Sequence, residues 1–212
     1  MRKLVVFFVR ILHVFLMRMR AFYDSICTRL IFMENGVSHA DYKTNGVPMV
    51  IKRRHSLEKI LIGKNFRMNN GLSANCIGYS TPCIFLLQGG GITIGDNVGM
   101  SQTTIIAMDN VLIGNHVLIG GGTKIYTSDF HPLNYIKRRE PQNWEYAKCM
   151  PVILEDDCFI GAGTIILKGV TIGARSVIGA GSVVTKNIPS DCIAAGNPCK
   201  VIRKLNEIDV HE

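Results

Sequence analysis

Long uncharged hydrophobic runs are missing from this chain. Its most apolar stretch, Leu4 to Val9, is followed by Arg10 and His13, far short of the roughly 20 apolar residues that span a bilayer. No small-residue cleavage site accompanies it, which argues against a secretory signal. Tryptophan occurs once, as Trp144, and the seven cysteines include no Cys-x-x-Cys pair. An odd, scattered set weighs against a disulfide scaffold and points to reduced thiols in a cytoplasmic protein. Cys158 and Cys192 read as small apolar fillers. No fold-level nucleic-acid motif accompanies the net charge of +8, so no nucleic-acid partner is expected. Acidic residues are scarce at the start: residues 1–30 hold Arg2, Lys3, Arg10, Arg18, Arg20 and Arg29 against Asp24 alone. Only 19% of the 212 residues are charged and 47% are apolar, which suits one packed domain with an appendage and weighs against disorder.

What is present is a six-residue repeat. An aliphatic side chain returns at Leu154, Ile160, Ile166, Ile172, Ile178 and Val184. Four residues after each comes a small or medium one: Cys158, Thr164, Val170, Ser176, Ser182 and Ile188. An amphipathic helix would repeat at three and four instead. The same period runs through Ile94, Met100 and Ile106 and, after a one-residue slip, through Ile113, Ile119 and Ile125, with a weaker start at Ile62 and Met68. A fixed short repeat implies a solenoid, in which each unit buries its face by stacking on the next. The 21 glycines suit tight corners between short strands. Two repeat blocks flank one non-repeating stretch, about 129–151, where specific chemistry is expected.

The chain divides into a helical leader (1–33), a lead-in loop and strand (34–60), the repeat domain (61–205, with its excursion at 129–151) and a tail (206–212). Residues 200–212 read as a short polar C-terminal helix. Two readings stand for the leader. Its Phe and Leu face packs on the solenoid end or a sister chain, or it is an interfacial anchor with Arg18 and Arg20 near anionic headgroups on the inner face of the membrane.

The rungs, together with Val177-Ile178-Gly179-Ala180-Gly181-Ser182-Val183-Val184-Thr185-Lys186 and Ala194-Ala195-Gly196-Asn197-Pro198-Cys199-Lys200-Val201-Ile202-Arg203, resemble the hexapeptide-repeat acyltransferases. Within that family they resemble the galactoside and maltose acetyltransferase branch. Ile125 to Leu133 resembles that branch's catalytic histidine segment, and the resemblance covers about residues 60–205. The leader is more similar to that of acetyltransferases that modify bacterial surface polysaccharides. The resemblance implies an all-β fold, a left-handed parallel β-helix of triangular section. Handedness comes from the resemblance alone, since parallel crossovers are overwhelmingly right-handed. It also implies a homotrimer with active sites between subunits, and acetyl-CoA as co-substrate without a metal.

Acetyl transfer to a hydroxyl needs a base, and histidine is suited to it. Of six His, only His131 stands where a β block breaks into the long loop; position and resemblance make it the expected general base. His116 reads as a corner or surface residue. A zinc site of the β-helix carbonic anhydrase kind needs three His around one ion, and no third in-rung His follows His116 and His131. On the acceptor side the resemblance points to Asp109 and to Ser101, the latter departing from an Asn of the family. Trp144 stacks on a sugar or packs the loop down. Asp129 orients His131 or caps a turn. On the donor side Ala162, Ala180, Thr185, Lys186, Lys200 and Arg203 match the coenzyme A groove. Lys200 replaces an Arg of close relatives, keeping charge and losing bidentate geometry. The Ala162 amide is a candidate oxyanion donor.

The expected activity is direct O-acetylation of a saccharide or glycan-precursor hydroxyl, with no acyl-enzyme. Alternatives are another small acceptor (serine, an amino sugar, an antibiotic) or a non-catalytic β-helix scaffold.

Overall fold

In the computed structural model, residues 2–37, 41–52, 57–71 and 74–206 are described. After one helix, α1 (Arg2–Glu34), nineteen short strands follow in chain order. Three parallel sheets form, and the chain visits them in rotation. Face 1 holds β1 (Tyr42–Asn45), β4 (Phe66–Asn69), β7 (Gly99–Ser101), β10 (Leu118–Ile119), β13 (Phe159–Ile160), β16 (Val177–Ile178) and β18 (Cys192–Ala195). Face 2 holds β2 (Met49–Lys52), β5 (Ile84–Leu87), β8 (Thr104–Ala107), β11 (Lys124–Tyr126), β14 (Ile165–Ile166) and β17 (Val183–Val184). Face 3 holds β3 (Ile60–Ile62), β6 (Ile92–Ile94), β9 (Val111–Ile113), β12 (Val152–Leu154) and β15 (Thr171–Ile172). From β1 to β17 strand n pairs with strand n+3, so each turn of three strands stacks on the one before; the last coil has no named strand on face 3, and β16 pairs with β18.

The repeat decides this packing directly. Leu154, Ile160, Ile166, Ile172, Ile178 and Val184 are almost completely buried, and so are the residues four positions after each. The hydroxyls among these satisfy corner carbonyls: Thr164 Oγ1 donates to Gly161 O at 2.7 Å, and Ser182 Oγ to Gly179 O at 2.6 Å. No polar side chain at these positions is left unpaired. Residue i of one coil rests on its equivalent in the next, as Ile119 on Ile160 and Ile160 on Ile178. Ile160→Ala should therefore destabilise the fold by about 2–5 kcal/mol, read as a lower denaturation midpoint in urea. A change within experimental error would mean that the column is not packed as described.

The register differs from the sequence reading at one step. The inward residue of β8 is Ile105, fully buried and paired with Ile125, whereas Ile106 points outward. The corner from β7 to β8 contains only Gln102 and Thr103, with Gln102 at φ 48°. That left-handed turn shortens the repeat there by one residue.

The expected C-terminal helix is corrected as well. Residues Lys200–Lys204 form β19, antiparallel to β18. The open edge of β18 offers backbone partners that Val201 and Ile202, both β-branched, take up; residues 207–212 lie outside the described ones. The leader is helical as expected, but its Phe and Leu face does not pack on its own solenoid. Only Asp24, Thr28 and Phe32 are buried there, Phe32 edge-on to Tyr42 at 5.1 Å.

Candidate active site

Three edges join the faces, and the candidate residues are distributed over them. The edge between faces 2 and 3 carries Asp109, the excursion with His131, then Lys168, then Thr185 and Lys186, in ascending coils. The edge between faces 1 and 2 carries Ala162 and Ala180, with Ser101 at the end of β7 beside it. His116 lies on the third edge, exposed at φ 56°, with Nε2 3.4 Å from Asn97 Nδ2. His116 and His131 are thus on different edges. Among the described residues no three His, Cys, Asp or Glu side chains gather as a metal would require.

The excursion leaves the prism through a pinched base. Ser128 and Cys149 form an antiparallel bridge, the Asp129 amide donates to Lys148 O at 3.2 Å, and the Met150 amide donates to Thr127 O at 2.9 Å. Inside the loop are two 3-10 turns, Lys137–Arg139 and Asn143–Tyr146. Lys137 Nζ lies 4.8 Å from the centre of the Tyr146 ring, and the Arg139 guanidinium 5.6 Å from that of Tyr135. The first of these cation–π contacts ties the two turns together, and the second lies within the first arm. Phe130, at φ 63°, turns the chain just before His131, and its ring meets Tyr126 edge-on at 5.3 Å.

His131 is exposed, and its Nδ1 is 2.6 Å from Asn143 Oδ1. Asn143 Nδ2 donates to Arg138 O at 3.0 Å and to Glu140 O at 3.3 Å. With its nitrogen committed to two carbonyls, the Asn143 amide can only accept from the ring. In its neutral form the His131 ring then carries its proton on Nδ1 and its lone pair on Nε2. Asp129 does neither of the things expected of it. Its carboxylate sits 2.6 Å from Lys168 Nζ, and only its backbone carbonyl meets His131, accepting from the amide at 2.7 Å. Asn143 and Lys168 were missed by the sequence reading. An asparagine twelve residues beyond a histidine has no motif, and Lys168 reaches Asp129 only because successive coils stack.

Asp109 is half-buried one coil below. The amides of Met108 and Asp109 both donate to Thr127 Oγ1, at 2.8 and 3.0 Å, and the Asp109 carboxylate accepts from the Asn110 amide at 2.7 Å. Trp144, in the second of the two turns, is 42% exposed. Ser101 accepts from Asn69 Nδ2 at 3.1 Å.

On the other edge the backbone forms a narrow column. A Cβ on Gly161 would run into the Ala180 amide nitrogen, so the coils can approach this closely only with glycine there. The Gly181 amide donates to Ala162 O at 2.8 Å, while the Ala162 amide has no acceptor among the described residues. Lys200 pairs with Ala195, which rests on Gly179, and so stands at the head of this column. Arg203, opposite Ile193, lies further along face 1. Tyr79 was also missed. The Gln102 amide nitrogen donates to the carbonyls of Gly71, Asn75 and Tyr79, folding this irregular loop over the column. There the Tyr79 hydroxyl lies 2.8 Å from where a Cβ on Gly163 would stand.

The seven cysteines are free thiols. Burial pushes the Cys83 thiol up to about 12 and that of Cys158 up to about 11, so neither supplies a thiolate nucleophile near neutral pH. Cys149, at the loop base, is half-buried, with Sγ 3.8 Å from Ala147 O.

Comparison with known proteins agrees with this architecture. Residues 151–186 match the family model described as the hexapeptide repeat of succinyl-transferase. The galactoside O-acetyltransferase of Escherichia coli is 33% identical over 77% of this chain and 74% of its own length. A Saccharomyces cerevisiae relative is 45% identical over 60% of this chain, which spans 63% of that relative's length. A hexapeptide-repeat acetyltransferase of Vibrio cholerae, solved with acetyl coenzyme A, superposes with a TM-score of 0.53. It is 32% identical and the match covers 84% of this chain and 76% of that one. The three-faced coil is thus the left-handed parallel β-helix, and the chain belongs to the hexapeptide-repeat acetyltransferases, in the branch that includes galactoside O-acetyltransferase.

Proposed function

We propose that the protein transfers the acetyl group of acetyl-CoA to a hydroxyl of a saccharide or glycan precursor, with His131 as general base. The observation that carries this reading is the clamped Asn143 amide, which leaves His131 Nε2 as a free acceptor at the mouth of the excursion. The acceptor hydroxyl gives its proton to Nε2 as its oxygen attacks the thioester carbon. The resulting oxyanion is met by the Ala162 amide. Collapse expels the coenzyme A thiolate, which recovers the proton from the imidazolium. Ala162 and Ala180 leave room for the pantetheine arm along the backbone. Thr185, Lys186, Lys200 and Arg203 offer polar and cationic contacts to the phosphates. Asp109 and Trp144 hold the acceptor, with Ser101 on the partner edge.

His131 and the Ala162 column stand on different edges of one prism. This supports a cyclic trimer in which one chain's His131 faces its neighbour's column. Face 1 offers a surface for it. Leu118, Phe159, Val177 and Ile193 lie in register on its outside, with Leu118 55% and Phe159 48% exposed.

Coenzyme A release over a panel of sugars, nucleotide sugars, serine and amino sugars tests the acceptor class. Release with sugar hydroxyls is expected; release with serine or an amine alone would move the acceptor elsewhere. Asn143 is a positioning residue in this scheme. Asn143→Leu should lower kcat/KM by about 10–100-fold, as for other partners that orient a working histidine. Asn143→Asp should recover much of it, with the rising limb of the pH profile moved to higher pH, because a carboxylate beside the ring stabilises the imidazolium. An unmoved pH profile in the aspartate variant would remove Asn143 from the mechanism.

A further inference from the structure

Helix α1 has a face with no partner in this chain, and its geometry says what covers it. An apolar line runs from Leu4 through Phe8, Phe15, Met19 and Phe22 to Met33, each more than half exposed. At about 100° per residue these positions fall within one sector, and no charged residue interrupts it. Lys3, Arg10 and Arg20 lie on the opposite side, and Arg18 and Arg29 flank the line. Asp24, Thr28 and Phe32 are buried on the side away from it, where Asp24 Oδ2 accepts from the Gly46 amide at 2.9 Å. The helix is therefore fixed to the N-terminal end of the prism through its last turns, by the side that carries Asp24, Thr28 and Phe32, and its apolar line faces outward.

Charge selects the occupant, since the spacing of the line (Phe8, Phe15 and Phe22 seven apart, Met19 and Met33 fourteen apart) fits a bundle of sister helices as well as a flat surface. Such a bundle would gather Arg18 and Arg29 of every copy along its flanks. The cations on the back and flanks have only two acidic counterparts on the helix, Asp24, which is buried against Gly46, and Glu34 at its far end. No helix among the described residues is long and apolar enough to cross a membrane. We propose that α1 lies in the headgroup layer of an anionic bilayer, its apolar line at the acyl boundary and its arginines among the phosphates. The N-terminal end of the prism then sits against the membrane. This inference is independent of the acceptor and of the role of His131.

The test is co-sedimentation of the full-length protein with phosphatidylcholine vesicles, with and without about one third phosphatidylglycerol. Binding should be at least about tenfold tighter to the anionic vesicles and should weaken with salt. Phe15→Glu combined with Phe22→Glu should abolish it, with the unfolding transition unchanged because both side chains are exposed. Arg10→Gln and Arg20→Gln should each weaken it by about fivefold. Absence of sedimentation at low salt, equal binding to both vesicles, or full binding by the glutamate variant would overturn the proposal. So would a glutamate variant that changes only the oligomeric mass, since that would show a second copy covering the line.

Discussion

Replacing His131 by alanine is expected to lower acetyl-CoA turnover by about 10²–10⁴-fold, the worth of a general base, without moving the unfolding transition. The ring is exposed and its one side-chain partner is Asn143 on the same loop, so its removal leaves no buried group unsatisfied. Intact-mass measurement during turnover should show no acetylated enzyme. The buried Cys83 and Cys158 thiols are held protonated at neutral pH. Cys149→Ala, close to the loop base, should turn over like the wild type. Equal turnover with and without the His131 ring would assign it a structural role, and a stable adduct on Cys149 would replace direct transfer by a two-step route. Thiol release by neither protein with any acceptor, together with intact coenzyme A binding, would favour the scaffold reading.

Two inactive variants should restore each other. Ala162→Trp fills the column on the edge between faces 1 and 2, and His131→Ala removes the base on the edge between faces 2 and 3. If each site draws one edge from each of two neighbouring chains, co-refolded equal mixtures recover about one quarter of wild-type turnover, because one site in four joins two intact edges. A site contained within one chain recovers nothing. The measurement separates these outcomes widely, since each variant alone is close to zero. It tests the trimer through the chemistry that depends on it, with the mass of the assembly as an independent check.

Much of the prism was legible in the sequence because its packing is one-dimensional. Each inward residue contacts the equivalent residue of the coils before and after it, so the six-residue period maps onto burial with no further information. Leu154 to Val184 obey it at every step. Failures came where local geometry changed the spacing. The left-handed turn at Gln102 moved the inward position from Ile106 to Ile105, and the free edge of β18 drew residues 200–204 into a strand instead of a helix. The excursion could be seen as a gap in the repeat, but its internal contacts could not. The Asn143 amide and Tyr79 are placed by loop conformation, and Lys168 by the stacking of coils.

By itself the sequence determined the repeat, the solenoid that follows from it, the isolation of His131 at a break in that solenoid, and a leader whose uncharged run is too short to span a bilayer. The tertiary structure decided which edge each candidate occupies. It separated His131 from Ala162, turned the Asp129 carboxylate to Lys168 and gave the ring to Asn143, and docked α1 through Asp24, Thr28 and Phe32 of its last turns with its apolar line outward. The physical reason is range. Periodicity records contacts that recur at a fixed separation along the chain, whereas a site is made of contacts that occur once, between residues brought together only when the coils close.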